Sequence, residues 1–180
     1  EVRPSLPALL GGKPVRASFL PLCTPYIGEE EKAEVVAALE SGWLSTGPRT
    51  KQFETDMQEY LGAKHAIALS SCTAGLHVAL VAAGVGPGDE VITSAFTFAS
   101  TANVILHVGA KLVLTDIRPD TYNISVDEIA KRITPKTRVI MPVHYGGQPC
   151  DMDEIADLAR ANDLLVIEDA ATAIGAEYKD

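Results

Sequence analysis

From Ala63 to Ile167 the chain repeats one pattern: a short apolar run, a turn, and a helix-length stretch. Strands are expected at 65–69, 90–93, 111–115, 138–143 and 164–167, and helices between them at 73–83, 100–108, 125–133 and 152–161. The strand runs are continuously apolar instead of alternating, which suits burial on both faces. Alternation of such strands with helices leaves few fold classes open. It predicts an α/β protein with three layers, a mostly parallel sheet covered by helices on each side. Of 180 residues, 47% are hydrophobic, enough for that core.

The first third of the chain reads differently. Residues 1–28 carry Pro4, Pro7, Pro14, Pro21 and Pro25 and read as an extended arm. A helix is expected at 29–41, with acids in its first turn, Ala33, Val36 and Leu39 inward, and Gly42 as the stop. A second is expected at 50–61, with Phe53, Met57, Tyr60 and Leu61 on one face and Gly62 ending it. Between them, the loop 42–48 holds the single tryptophan, Trp43. Ser125 and Glu128 have capping-box spacing at the start of the 125–133 helix.

Charge and cysteine content exclude several classes. Fifteen basic and 24 acidic residues give a net charge of −9 with no basic cluster, which argues against nucleic acid and anionic membranes as partners. Cys23, Cys72 and Cys150 form neither a metal-type pair nor a disulfide framework, so a reducing compartment and no metal are expected. No apolar run approaches about 20 residues, and no basic region precedes an apolar core at the start, so a cytoplasmic protein is expected.

The uncommon residues collect after the strands, where ligands bind in sheets of this kind. Ser70, Ser71, Cys72 and Thr73 stand at the mouth of the 73–83 helix, where free amides and the helix dipole favour an anion, above all a phosphate. The plainer alternative is an ordinary N-cap. Phe96, Thr97 and Phe98 follow the second strand, Asp116 the third, Pro142 to Gly147 the fourth, and Glu168 and Asp169 the fifth. Phe98 is open to a core role, His144 to a bond with a backbone carbonyl, and Asp169 to capping the next turn. Two acids ending an apolar strand nevertheless call for something cationic opposite. Gly-x-Gly-x-x-Gly and Gly-Lys-Ser are absent, which disfavours a dinucleotide dehydrogenase and a Walker-type site. Cys72 at a helix start suggests a thiolate, but no partner histidine is identifiable. A phosphate at one strand end and a basic nitrogen facing a carboxylate at another fit one ligand.

The segments Gly-Gly-Lys-Pro-Val-Arg (11–16), Ser-Gly-Trp-Leu-Ser-Thr-Gly-Pro (41–48), Ser-Ser-Cys-Thr-Ala-Gly-Leu (70–76) and Gly-Asp-Glu-Val-Ile-Thr (88–93) occur in one order. They are followed by Thr-Phe-Ala-Ser-Thr-Ala-Asn (97–103), Pro-Val-His-Tyr-Gly-Gly-Gln-Pro (142–149) and Val-Ile-Glu-Asp-Ala-Ala (166–171). In this order and spacing the chain resembles the DegT/DnrJ/EryC1/StrS family of sugar aminotransferases. Those enzymes depend on pyridoxal phosphate (PLP) and have the type I, aspartate aminotransferase-like fold.

That resemblance implies a cofactor cradle of Ser71, Cys72, Thr73, Ala74, Phe98, Asp169 and Thr172. Thr73 and Ala74 would hold the phosphate, Phe98 would stack on the pyridine ring, and Asp169 would pair with the ring nitrogen. Trp43, Ser45, Thr46 and Gly47 would lie towards the substrate. The implied partners are a nucleotide-linked keto sugar, glutamate as amino donor, and a second copy of the chain in a homodimer. Thr172 departs from the His or Gln that many members carry. The family's Schiff-base lysine follows a further strand, and Lys13, Lys32, Lys51, Lys64, Lys111, Lys131, Lys136 and Lys179 all lack that context. The chain is therefore expected to be the N-terminal part of the large domain (29–180) behind an arm (1–28), with no catalytic residue and no transaminase activity of its own. Two alternatives are a non-catalytic fragment or pseudoenzyme that binds a phosphate ligand or a partner chain, and a PLP-dependent sugar dehydratase of the same family.

Overall fold

A computed structural model describes residues 6–21 and 23–179. The chain divides between Ala66 and Ile67 into two units.

In the first unit, the described residues between 6 and 28 hold one short turn of 3-10 helix, Ala8–Leu10. Pro4, the rest of 1–5 and residue 22 of the expected arm lie outside the described residues. Helix α1, Glu29–Glu40, begins where the Glu31 carboxylate accepts the Gly28 N–H at 2.6 Å. Helix α2, Pro48–Leu61, has proline in its first turn, where no amide is needed, and ends at Gly62 with φ +61°. The inward faces expected for both helices are not buried: Val36 is 51% exposed, Leu39 60% and Phe53 55%. A helix buries an apolar stripe only against another apolar layer, and no described residue of this unit is buried.

The second unit carries the sheet. Strands β1 (Glu90–Ser94), β2 (Lys111–Thr115), β3 (Thr137–Met141) and β4 (Leu165–Val166) are all parallel, in the order β2-β1-β3-β4. Strand geometry sends successive side chains to opposite faces, and two cores result. Val91, Val139 and Met141 pack with Leu76 and Leu80 of α3 (Cys72–Ala82) and Val104 and Ile105 of α4 (Ala99–His107). Ile92 and Ile140 pack on the other face with Ile129 of α5 (Val126–Ala130) and Ile155 and Ala159 of α6 (Met152–Ala161). This is the expected three-layer arrangement.

Two expectations are corrected. The 65–69 run lies outside the four-stranded sheet, with Ile67 76% exposed and Leu69 46%. Apolar content alone does not place a run in a sheet, because strand preference depends strongly on context. The 125–133 helix shortens to Val126–Ala130. Pro135 disfavours helical backbone at Thr134, whose amide instead donates to Thr137 Oγ1 at 2.9 Å. Ser125 Oγ does accept the Glu128 amide, at 3.4 Å, but the Glu128 carboxylate turns forward to Lys131 at 2.6 Å. The capping box is half formed.

At the amino end of β1, Glu90 is 4% exposed and accepts Lys111 Nζ at 2.7 Å and Thr134 Oγ1 at 2.6 Å. These hydrogen bonds, Lys111 first, hold its carboxyl below the usual carboxylate range. The folded value lies below the unfolded one, so the stabilisation is fully present above pH 4.5 and is lost as pH falls through the folded value. Glu90→Gln is expected to lose about 1–2 kcal/mol at pH 7 and to show a shallower loss of stability in acid. Urea melts of both proteins across that range test this. Parallel pH curves would remove Glu90 from the role.

Candidate functional site

The carboxyl ends of β1, β3 and β4 and the start of α3 surround a cleft of about 500 Å³. Cys72, Thr73, Phe98, Asp169 and Thr172 all line it, together with Thr97 and Tyr145. Five sequence candidates from three distant segments thus meet in one place. Ser71 and Ala74 stand beside them: Ser71 is the N-cap of α3, and its hydroxyl accepts the Ala74 amide at 3.1 Å. The N-cap reading is therefore correct for Ser71, and the Ala74 N–H has an internal partner. Thr73 is left as the cleft-lining polar residue of the helix mouth.

Asp169 sits on extended backbone that continues the β3–β4 ladder. Its N–H donates to Pro142 O at 2.9 Å, and its C=O accepts the His144 N–H at 3.1 Å. Side chains alternate along such backbone. Asp169 faces the cleft and is 4% exposed, whereas Glu168 is paired with His144. The Asp169 carboxylate accepts Thr101 Oγ1 on Oδ2 at 2.7 Å, and on Oδ1 both Cys72 Sγ at 3.6 Å and the Ala171 amide at 3.2 Å. The last bond is the turn cap foreseen as its plainer role, and it coexists with the others.

His144 is buried and doubly bonded. Nδ1 accepts the Cys150 amide at 3.1 Å, so the ring proton is on Nε2, which donates to Glu168 Oε2 at 2.8 Å. The expected backbone carbonyl is not its partner: a backbone amide and a carboxylate fill both ring nitrogens. The His144 hydrogen bond holds the Glu168 carboxyl below the usual range. The loop bearing His144 turns on Gly146 and Gly147 at φ +62° and +88°, and a Cβ on Gly147 would lie 3.1 Å from Thr172 O. Thr172 Oγ1 in turn donates to His144 O at 3.3 Å.

Phe98 is 79% exposed, so it is not core. A large apolar ring left open at a cleft mouth is available to stack on a flat ligand. The Cys72 thiol is pushed up from its ordinary value, first by burial and then by the Asp169 charge and hydrogen bond. A thiol held protonated is a poor nucleophile.

Trp43, Ser45, Thr46 and Gly47 belong to the first unit. Trp43, Ser45 and Gly47 line a separate cleft of about 510 Å³ there, beside Arg49, which pairs with Glu34. Trp43 Nε1 donates to Thr46 O at 2.8 Å, and the indole lies so close to Gly47 that a Cβ would be 2.1 Å from Nε1.

Two contributors escaped the sequence reading. Thr101, fully buried on α4, reaches Asp169 across 68 residues. Asn123, 3% exposed, donates to Gln148 O and Pro149 O at 3.0 and 2.9 Å and accepts the Tyr145 amide at 3.0 Å. It clamps the loop that borders the cleft. A polar residue inside an apolar helix face is the signal that marked Thr101; Asn123 looked like an ordinary turn residue.

The parallel sheet, its two helical layers and a cleft at the strand ends define an α/β protein with its site at the carboxyl edge of the sheet. A family model then names it: residues 25–180 match, and the chain belongs to the DegT/DnrJ/EryC1/StrS aminotransferase family. Among its relatives is the spore coat polysaccharide biosynthesis protein SpsC of Bacillus subtilis, 53% identical over 91% of this chain and 42% of SpsC. An aminotransferase from Psychrobacter cryohalolentis superposes with a TM-score of 0.83 at 41% identity, over 86% of this chain and 40% of that one. NtdA of Bacillus subtilis, solved with bound cofactor PMP (pyridoxamine phosphate), superposes with a TM-score of 0.79 at 39% identity, over 82% of this chain and 34% of its own. The chain spans about two fifths of the length of the relatives it matches.

Burial and then the Asp169 charge hold the proton on Cys72, so Asp169→Asn is expected to lower the thiol's pKa in part and speed alkylation of Cys72 at pH 8 by about three- to tenfold. Peptide-resolved mass spectrometry after iodoacetamide separates Cys72 from Cys23 and Cys150. An unchanged rate would show that Asp169 does not govern this thiol.

Proposed function

We propose that this chain supplies the cofactor cradle of a PLP-dependent sugar aminotransferase. The observation that carries the reading is Asp169: a buried carboxylate facing a cleft, with neutral donors and no cation partner among the described residues. Such a group suits a ligand with a protonated ring nitrogen. The donor set fits the cofactor in its other parts too. The start of α3 with Thr73 suits a phosphate, and the exposed Phe98 ring suits a planar heterocycle. PMP bound to NtdA and the aminotransferase neighbours support the same cofactor here.

When bound, PLP supplies an electron sink for the charge left when a Cα proton departs. This chain's residues do the holding. Asp169 keeps the proton on the ring nitrogen, Phe98 fixes the ring plane, Thr73 anchors the phosphate end, and the His144–Glu168 pair braces the backbone that carries Asp169. Residues 29–180 are the cofactor-binding part of a large domain, and 1–28 an arm before it. Trp43, Ser45, Thr46 and Gly47 are the substrate-side contacts. The acceptor is a keto group on a nucleotide-linked sugar, glutamate is the amino donor, and two copies of the protein pair. The polysaccharide role in SpsC's name supports the sugar. Among the described residues no helix is long and apolar enough to cross a membrane.

PMP tests the cradle without any covalent attachment, because it is an amine and not an aldehyde. Asp169→Ala in the natural full-length protein is expected to weaken PMP binding by about tenfold or more, the worth of one charge-assisted hydrogen bond. Calorimetric titration measures it. Equal affinity in the two proteins, or no binding by either, would overturn the reading.

A further inference from the structure

We propose that Thr101 is a positioning residue that fixes the open lone pair of Asp169, and so sets the protonation of a pyridine nitrogen in the cleft. The inference rests on the cofactor reading above. Thr101 is wholly buried in the first turn of α4, and no part of it lines the cleft. Its hydroxyl oxygen lies 2.7 Å from Asp169 Oδ2 and 2.8 Å from Thr97 Oγ1. A carboxylate accepts only, and a hydroxyl has one hydrogen. The Thr101 hydrogen therefore goes to Asp169, and Thr97 must donate to Thr101. The two hydroxyls form a line of donors directed at the carboxylate.

The remaining contacts fix what the carboxylate offers. Oδ1 takes Cys72 and the Ala171 amide, which uses both its acceptor positions. Oδ2 takes Thr101 and keeps one position open. The carboxyl's terminal torsion has only broad wells of its own, and the two Oδ1 contacts, at 3.6 and 3.2 Å, are longer than the Thr101 bond at 2.7 Å. Removing the Thr101 bond would free it to rock and spread that position over several directions. Each donor is also neutral: a hydroxyl, a thiol and an amide. An arginine or lysine here would orient the group equally well but would cancel the charge that a pyridinium needs. Thr101 orients Asp169 and leaves its charge for the ligand.

The test uses the natural full-length protein, ring-¹⁵N-labelled PMP, and the variants Thr101→Val and Thr101→Ser. Valine keeps the shape and drops the donor; serine keeps the donor. The ¹⁵N shift of bound PMP, followed against pH, reads the ring nitrogen's pKa. Thr101→Val is expected to lower it by about one unit, a tenfold change in protonation, while Thr101→Ser stays at the wild-type value. A merely structural role would lower the melting temperature in Thr101→Val and leave the ring-nitrogen pKa where it was, and that result overturns the proposal. If Thr101→Val does not fold, Thr97→Val removes the outer donor instead. It is expected to shift the pKa in the same direction by less, and no shift there overturns the proposal equally. Should the wild-type protein bind PMP with an unprotonated ring, this inference fails while the cradle stands. Should it bind no PMP, the cofactor reading itself has failed, and this inference with it.

Discussion

A carboxylate removed from water without a counter-ion costs several kcal/mol unless hydrogen bonds replace its solvent. Asp169 is in that position, and its three donors come from three places: the start of α3, the first turn of α4 and the turn after β4. Each of those must be where it is for the charge to be tolerable. The β3–β4 ladder holds the Asp169 backbone, His144 and Glu168 brace the same ladder from beside it, and Asn123 holds the loop that carries His144. The cleft is thus built from the inside outward, with its most costly group also its most constrained one.

Much of this was legible in the residues. Continuous apolar runs gave the four strands and the two-sided burial of β1 and most of β3, since no amphipathic alternative fits Val91-Ile92 or Val139-Ile140; Leu114 of β2 and Leu165 of β4 are half-exposed. Asp169 was legible because two acids end an apolar strand there, even though its turn cap to the Ala171 amide offered a plainer use. The first unit was less so. Val36, Leu39 and Phe53 have helical spacing, yet spacing reports only that a stripe exists and not that something covers it. The 65–69 run failed for the related reason that an apolar run does not show whether its residues join the sheet. His144 shows a third limit. A histidine's partners are set by what two loops bring to its ring, and the Cys150 amide and Glu168 lie 6 and 24 residues away.

Tyr122 adds a detail that sequence could not have suggested. It is a non-glycine residue at φ +61°, a conformation that costs of order 1–3 kcal/mol. Its ring lies 5.8 Å from Phe96 and 6.1 Å from Tyr145, and Phe96 and Tyr145 are 4.6 Å apart. One aromatic from each of three strand-end loops meets there. Contacts of this kind are worth about 0.5–1.5 kcal/mol each, which offsets the strain and ties the loops to one another next to the Asn123 clamp.

The strand order β2-β1-β3-β4 also bears on how the sheet comes into being. Among the four described strands, β1 is made first and stands inside the order, and β2, β3 and β4 each join an edge that is already present. None has to be inserted between strands that have paired before it. At about 5–20 residues per second of synthesis, the growing chain can lay down its sheet by accretion as it leaves the ribosome. Asp169, which follows β4, then closes its hydrogen bonds onto the starts of α3 and α4, made before it.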